Sequence, residues 1–361
     1  MQDPKFVRKF KARVEKVEKE IGSCDKNDHY IPQFILRNFA VDEDKKKILE
    51  YKRGAALPQE VDIENTACKK GYYDTINKFS KQENNLVDRL TQLIESDSAE
   101  VIKKLVSSDQ VNLSNGQANN ISAFVANLYT RTPSFREQMK LFILYLLENK
   151  LVEKEELNDD KVLEEIFYKN SLGIKVETLR KFKPKKEMEF KREDIIIVLA
   201  NFISAKFSED LFYRNLNVLE SSSDDFILND NPVFISDLKK YPRWPQGWYL
   251  KDEDFVFLPI SPKRCLVFDK KEFANKRIRA NSRLVAFINF NIIAGAEEFI
   301  YSHKKDMGIQ DGLNTTERMR ERVFPSLFVR KFKMIYLSIK KCWNIVFLVK
   351  KSSGIRDIPK N

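Results

Sequence analysis

Histidine is almost absent from this chain: only His29 and His303 occur in 361 residues, so any imidazole chemistry has to use one of the two. The four cysteines, Cys24, Cys68, Cys265 and Cys342, stand apart with no CxxC or comparable spacing, which argues against structural zinc. Ten glycines are scattered, so neither a Walker loop nor a dinucleotide fingerprint can be assembled. A GxSxG elbow and a Cys–His nucleophile arrangement are also missing, which removes the common covalent hydrolases. The longest apolar runs, Ile195–Ala205 and Leu141–Leu147, fall far short of the about 20 residues a membrane span needs. They read as buried core helices. Residues 1–20 interleave Lys5, Arg8, Lys9, Lys11, Arg13 and Lys16 with single apolar positions, so no secretion signal is expected and a cytoplasmic location is.

What the chain does contain is positive charge. Lysine and arginine total 64 against 53 acidic residues, a surplus of 11, which favours attraction to polyanions, nucleic acid first among them. The plainer alternative is a lysine-rich composition with a pI near 9.2 and no dedicated surface. With 42% hydrophobic residues the chain can bury one large core or two smaller ones.

Phe6, Phe10, Val14, Val17 and Ile21 mark an amphipathic helix with a cationic opposite face. Short strands are expected at 47–53 and 60–74, then a helix over 85–106 with Leu86, Leu90, Leu93, Ile94, Val101, Ile102 and Leu105 on one stripe. Helices at 118–131 and 134–149 meet at Arg131-Thr132-Pro133, where Thr132 can cap and Pro133 can open the first turn. A charged helical stretch at 154–182 precedes a buried helix at 193–212. From Asn217 the pattern turns to short strands at 226–228, 233–235, 255–258 and 265–268, interrupted by a helix at 283–297 and closed by a basic hairpin over 333–338 and 343–350. No internal repeat appears. The expected fold class is α+β, helix-rich, with a mixed or antiparallel sheet formed from strands near both ends of the chain. The expected organisation is a basic helix at 1–26, one α+β domain at 27–302 and a basic extension at 303–361.

Four constellations bear on chemistry. His29 lies beside Tyr30 ahead of Pro32, which suits a helix start, with Arg37 less than two turns on; a proton carrier near a fixed cation follows, or a histidine that merely bonds loop backbone. His303, in Ser302-His303-Lys304-Lys305, reads as surface. Asp88 and Glu95 are seven residues apart and share a helix face, as a magnesium or manganese pair would, although such carboxylates are commonly solvated or lysine-paired. Asp230, in Asn229-Asp230-Asn231-Pro232, follows an apolar run and projects from a strand end, where ligands and catalytic carboxylates gather and where ordinary turn chemistry also occurs. Arg131 and Arg136 bracket a capped helix start, which can seat a phosphate or simply pair with Glu137 and its acidic neighbours.

The run His29-Tyr30-Ile31-Pro32-Gln33-Phe34-Ile35-Leu36-Arg37-Asn38-Phe39 resembles the His-Tyr-x-Pro-x-Phe-x-Leu-Arg-x-Phe signature of a bacterial family known as domain of unknown function 4238. Later blocks look similar and fall in the same order: Tyr73, Leu93-Ile94-Glu95, Arg131-Thr132-Pro133, Asp230 to Val233, Leu258 to Pro262, and Asn289 with Ala296. Asp88 departs from the glutamate expected there, shortening any ligand by one methylene. The resemblance implies a single site drawn from His29, Arg37, Glu95, Arg131, Asp230 and Asn289, and it implies no particular reaction.

The expectation drawn from these residues is a metal-assisted hydrolase of phosphodiester bonds in nucleic acid or nucleotides. In it Glu95, Asp230 and Asp88 hold magnesium or manganese, His29 moves the proton, Arg37 and Arg131 neutralise phosphate, and Asn289 completes the catalytic set. A role in bacterial defence against phage is added by the character of the family. The rival expectation is a non-catalytic nucleic-acid-binding or regulatory module, or one that recognises another protein; a membrane partner is not expected.

Overall fold

A computed structural model describes residues 27–73, 75–76, 83–84, 86–108, 111–149, 151, 194–236, 250, 252, 254–270 and 276–322. The amphipathic stretch at 5–21, the charged stretch at 154–182 and the closing hairpin at 333–350 lie outside the described residues. The first elements are β1 (Asn27–His29), α1 (Gln33–Leu36) running into a 3-10 turn at Arg37–Phe39, β2 (Lys47–Lys52), β3 (Gln59–Asp62) and β4 (Cys68–Lys70). A small pair, β5 (Thr75–Ile76) and β6 (Glu83–Asn84), precedes helices α2 (Leu86–Ser107), α3 (Asn115–Thr130), α4 (Pro133–Glu148) and α5 (Asp194–Phe212). The remainder comprises β7 (Asn215–Ser221), β8 (Leu228–Asn229), β9 (Phe234–Ser236), β10 (Phe255–Ser261), β11 (Arg264–Asp269), β12 (Arg277–Ala280), α6 (Ser282–Gly295), β13 (Phe299–Ser302) and α7 (Met307–Arg322).

The fold is α+β. A five-stranded sheet has the order β12-β7-β11-β10-β9, antiparallel except for the β12–β7 pair, and a four-stranded antiparallel sheet has the order β3-β2-β13-β8. The second sheet joins the two ends of the domain, because β13 pairs with β2 in the register Ile300↔Tyr51. Among the described residues β1 pairs with β4, His29 opposite Cys68.

Both faces of the five-stranded sheet are buried, which explains why β10 and β11 read as continuous apolar runs rather than alternating ones. Successive side chains still point to opposite faces. Val256, Leu258, Leu266 and Phe268 join a core shared with α2 and α3 through Ile102, Phe124 and Val125. Phe257, Cys265 and Val267 join a second core under α6 and α7 with Ile288, Ile292 and Leu313. β2 divides in the same way, Ile48 entering the first core and Tyr51 the second. A third cluster glues α4 to α5, with Phe135, Met139 and Phe142 against Ile195, Leu199 and Ile203. Burial of one such side chain contributes about 1.5–3 kcal/mol.

Local signals place the helix starts. Ser114 and Gln117 form a reciprocal capping box on α3, Thr132 accepts from the Phe135 amide at the head of α4, and Asn281 accepts from Leu284 on α6. The span expected as one strand at 60–74 is instead β3, a 3-10 turn at Ile63–Asn65 and β4. The break includes Ala67, whose φ of 52° is left-handed and carries no glycine to announce it. The first turns of the expected basic extension form α7, which packs on the domain through Ile309 and Leu313. Among the described residues no helix is long and apolar enough to cross a membrane.

Candidate functional site

The backbone around His29 is held by three contacts. β1 pairs with β4, the Tyr30 amide donates to Ala67 O at 3.0 Å, and the Tyr73 hydroxyl donates to His29 O at 3.1 Å. Asp28, buried beside it, accepts the Tyr73 amide at 3.1 Å. The His29 ring approaches Ile63 O through Nε2 at 3.3 Å. Burial lowers the imidazole pKa below its ordinary 6.5, Arg131 adds to the lowering, and the Ile63 carbonyl with Glu95 and Asp28 opposes it. Burial thus favours the neutral form of the ring.

Arg131 ends α3, and only 3% of its side chain is exposed. Its Nε donates to Tyr30 O at 2.9 Å, and its Nη1 donates to Glu95 Oε1 at 2.6 Å and to Asn127 Oδ1 at 3.2 Å. The Tyr72 hydroxyl donates to the Arg131 carbonyl at 2.8 Å. Glu95 reaches this position because α2 is pinned to α3 by Ser98 Oγ donating to Asn120 O and Asn120 Nδ2 donating to Asp97 O. Burial alone would lower the Arg131 pKa, but Tyr73 and Glu95 outweigh it and hold it above the arginine norm.

Arg136, one turn into α4, lies over Tyr72 with its guanidinium carbon 3.4 Å from the ring centroid. Its Nη1 donates to Tyr72 O. Burial pulls Arg136 below the usual arginine range. Arg131 Nη2 and Arg136 Nε are both buried without a hydrogen-bond partner. A guanidinium only donates, so each of these two N–H groups asks for an acceptor. Arginines over-supplied with donors beside a neutral imidazole can bind an anion and move a proton next to it.

Behind this corner, Tyr30 hydrogen-bonds with Tyr301, while Thr66 Oγ1 donates to Glu50 and approaches the Tyr301 hydroxyl. Burial raises Glu50, Tyr30 and Tyr301 above their ordinary values. Glu50 and Tyr301 come from β2 and β13 of the four-stranded sheet.

The structure brings together His29, Glu95 and Arg131, as their place in one expected site requires. The other expected residues serve elsewhere. Arg37 is exposed and donates to Gln33 Oε1 at 2.7 Å, one turn earlier on its own short helix. Asp230 is buried and accepts the amides of Glu297, Glu298 and Phe299 at 2.6–2.8 Å, so both its oxygens hold the turn from α6 into β13. Burial lifts its pKa to about 6 against the pull of those three amides. Asn289 accepts from the Ile227 amide and donates to Asp225 O, fastening the approach to β8 onto α6. Asp88 is buried and accepts from Gln92 Nε2 at 2.7 Å. The expected Asp88–Glu95–Asp230 ligand set is thus not assembled as one site, and among the described residues no three His, Cys, Asp or Glu side chains gather as cation ligands.

Asp28, Tyr72 and Tyr73 belong to the site and were not among the expected residues. Asp28 precedes the signature histidine directly, but its role needs the Tyr73 amide, 45 positions away, to become visible. Arg136 was readable from its bracket with Arg131; its seat on Tyr72 was not.

One family model, described as protein of unknown function (DUF4238), matches residues 27–306. No match is found among curated proteins or among solved structures.

Proposed function

Because the chain belongs to the DUF4238 family of proteins of unknown function, we propose its activity from geometry: a hydrolase of phosphodiester bonds in nucleic acid or nucleotides. The observation that carries this reading is the half-buried His29 within electrostatic reach of the Glu95–Arg131 pair, whose arginine is buried. With Nε2 donating to Ile63 O, the lone pair on Nδ1 is free to take a proton from an attacking water. Arg131 and Arg136 would stabilise the charge that builds on phosphate oxygens. Glu95 keeps Arg131 charged and oriented. The surplus of 11 positive charges favours polyanionic substrates.

Magnesium or manganese enters this reading with the substrate rather than through a carboxylate cluster, since such ions bind largely through substrate phosphates, water and one or two carboxylates. No step above depends on one. The same chemistry suits an effector in bacterial defence against phage.

The test is to incubate the full chain with labelled DNA, RNA and nucleotides, with and without magnesium or manganese. Turnover is expected, falling by about 10²-fold or more in His29→Gln. Because the base must be neutral, the rate should be lost as pH falls through the His29 pKa, below 6.5. Salt-sensitive binding without turnover in any arm would move the protein to the non-catalytic nucleic-acid-binding class.

A further inference from the structure

We propose that the outer face of the β1–β4 ribbon, which carries Asn27, His29, Cys68 and Lys70, is the surface along which a nucleic-acid strand reaches His29, with Lys70 gripping a backbone phosphate next to the one at the histidine. This rests on the phosphodiester reading above and goes further, naming the face by which the substrate enters and the residue that holds it there.

The ribbon has two unlike faces. Successive side chains of a strand alternate, so Asn27 and His29 share a face with Cys68 and Lys70, while Asp28 and Tyr30 share the other with Ala67 and Lys69. Asp28, Tyr30 and Ala67 are buried, and Lys69 carries its ammonium to within 5.9 Å of the Tyr72 ring centroid. Asn27 and Lys70 are exposed, and His29 and Cys68 are half-buried. The second face therefore belongs to the domain interior and the first meets solvent. Arg131, only 3% exposed, acts on a ligand by its field and not by contact. A ligand comes to His29 from the outer face.

Register then fixes the neighbours. The Tyr30 amide donates to Ala67 O, which makes those two the hydrogen-bonded pair and makes His29 and Cys68, one step on, the closer non-hydrogen-bonded pair. Cross-strand neighbours of this kind have Cβ atoms about 4.5–5.5 Å apart, and Lys70, on the diagonal from His29, stands about 7–8 Å away. The 3-10 turn at Ile63–Asn65 lies at the His29–Cys68 end, with Ile63 O against His29 Nε2 at 3.3 Å and Glu64 O against the Cys68 thiol at 4.0 Å. Glu64 on that turn is acidic and exposed, so a polyanion is favoured at the other end, where Lys70 stands. A cation set beside the histidine on an open strip suits phosphates that follow one another along a strand. A mononucleotide carries its phosphate at one point and can use only one of the two positions.

The experiment is fluorescence anisotropy of a labelled oligothymidylate with the full chain, without added divalent metal, over a series of salt concentrations. Lys70→Met should weaken binding about fivefold at low salt, and the slope of log affinity against log salt should shrink by about 0.7, the share of one phosphate contact on a single strand. Lys69→Met, one residue earlier and on the other face, is the matched control and should change affinity by less than about twofold. Cys68→Glu puts a negative charge opposite His29 and should weaken binding about tenfold, whereas Cys68→Lys should strengthen it and Cys68→Ser should bind as wild type does. Melting temperatures establish that each variant is folded, and if Cys68→Glu melts early the Lys70 and Lys69 comparison decides alone. A 5′-mononucleotide should displace the strand only weakly. No binding by wild type, equal losses in Lys70→Met and Lys69→Met, unchanged affinity in a folded Cys68→Glu protein, or displacement by the mononucleotide as efficient as by unlabelled strand overturns the proposal. Turnover is read separately: strand binding with these charge effects and no hydrolysis keeps the face and removes the catalytic reading, and hydrolysis indifferent to positions 68 and 70 does the reverse.

Discussion

The corner around His29 and the corner around Asp230 are built from the same sort of material, polar residues in motif-like runs with a proline close by, and they have opposite hydrogen-bond balances. Asp230 spends both oxygens on the amides of Glu297, Glu298 and Phe299. Asn289 and Asn229 beside it donate to Asp225 O and Ile292 O, tying strand ends to α6. The His29 corner holds two arginines with a donor left over on each. The Asp230 carboxylate has both oxygens in use, whereas each arginine of the His29 corner keeps one buried N–H unused. Position at a strand end did not separate the two; the tally of donors and acceptors does.

Breaking the closed corner should have the largest effect. Asp230→Ala removes the acceptor of three amides, and on the order of 4 kcal/mol should be lost in urea unfolding, with nucleic-acid binding intact wherever the protein remains folded. Asp230 also gives this corner a pH signature. Its folded pKa of about 6 lies above the ordinary 3.8, so protonation favours the fold: the stability it contributes is fully present below 3.8 and is lost as pH rises through 6. Asp230→Asn should erase that step from a plot of melting temperature against pH, and a step that survives the substitution belongs to another group.

The open corner should respond differently. Glu95→Ala leaves Arg131 charged and buried without its partner, at a cost of about 3 kcal/mol. Inorganic phosphate should restore part of the lost melting temperature by taking the place of the carboxylate. No such rescue is expected for Asp230→Ala, and rescue of both variants alike would erase the distinction between the corners. The smallest effect belongs to Arg37→Ala. It is exposed and bonds only Gln33 among the described residues, so stability should change by less than about 0.5 kcal/mol and hydrolysis should be unaffected. A large loss of turnover in that variant would return Arg37 to the site.

Much of the frame was legible before any coordinates. Helices α2 to α6 lie within a few residues of where stripes and caps put them, because Thr132, Pro133 and an apolar periodicity are local signals. The residues His29, Glu95 and Arg131 were legible as a group only through the order of motif blocks. Their contact depends on α2 lying against α3, which no local pattern encodes. The backbone duty of Asp230 and Asn289 was not legible for a physical reason: Asp and Asn side chains bond backbone equally well whether they serve a ligand or a turn. β7 escaped notice from its first residues because Asn215 and Asn217 interrupt the apolar pattern, and the Asn217 side chain is used to accept the Lys276 amide. Tyr72 and Arg136 are sixty-four positions apart, and their stacking is a property of the folded chain alone.

Arg53, in the turn after β2, donates to Ala296 O, Glu297 O, Leu313 O and Thr316 Oγ1. It thereby closes the C-terminal end of α6 and gathers α7, which begins at Met307, immediately beyond the family match. A chain cut at residue 306 would strip Leu313 from the second core and leave half of the Arg53 fork without acceptors. The boundary by which the family is recognised therefore stops just short of a helix that contributes Leu313 to the second core.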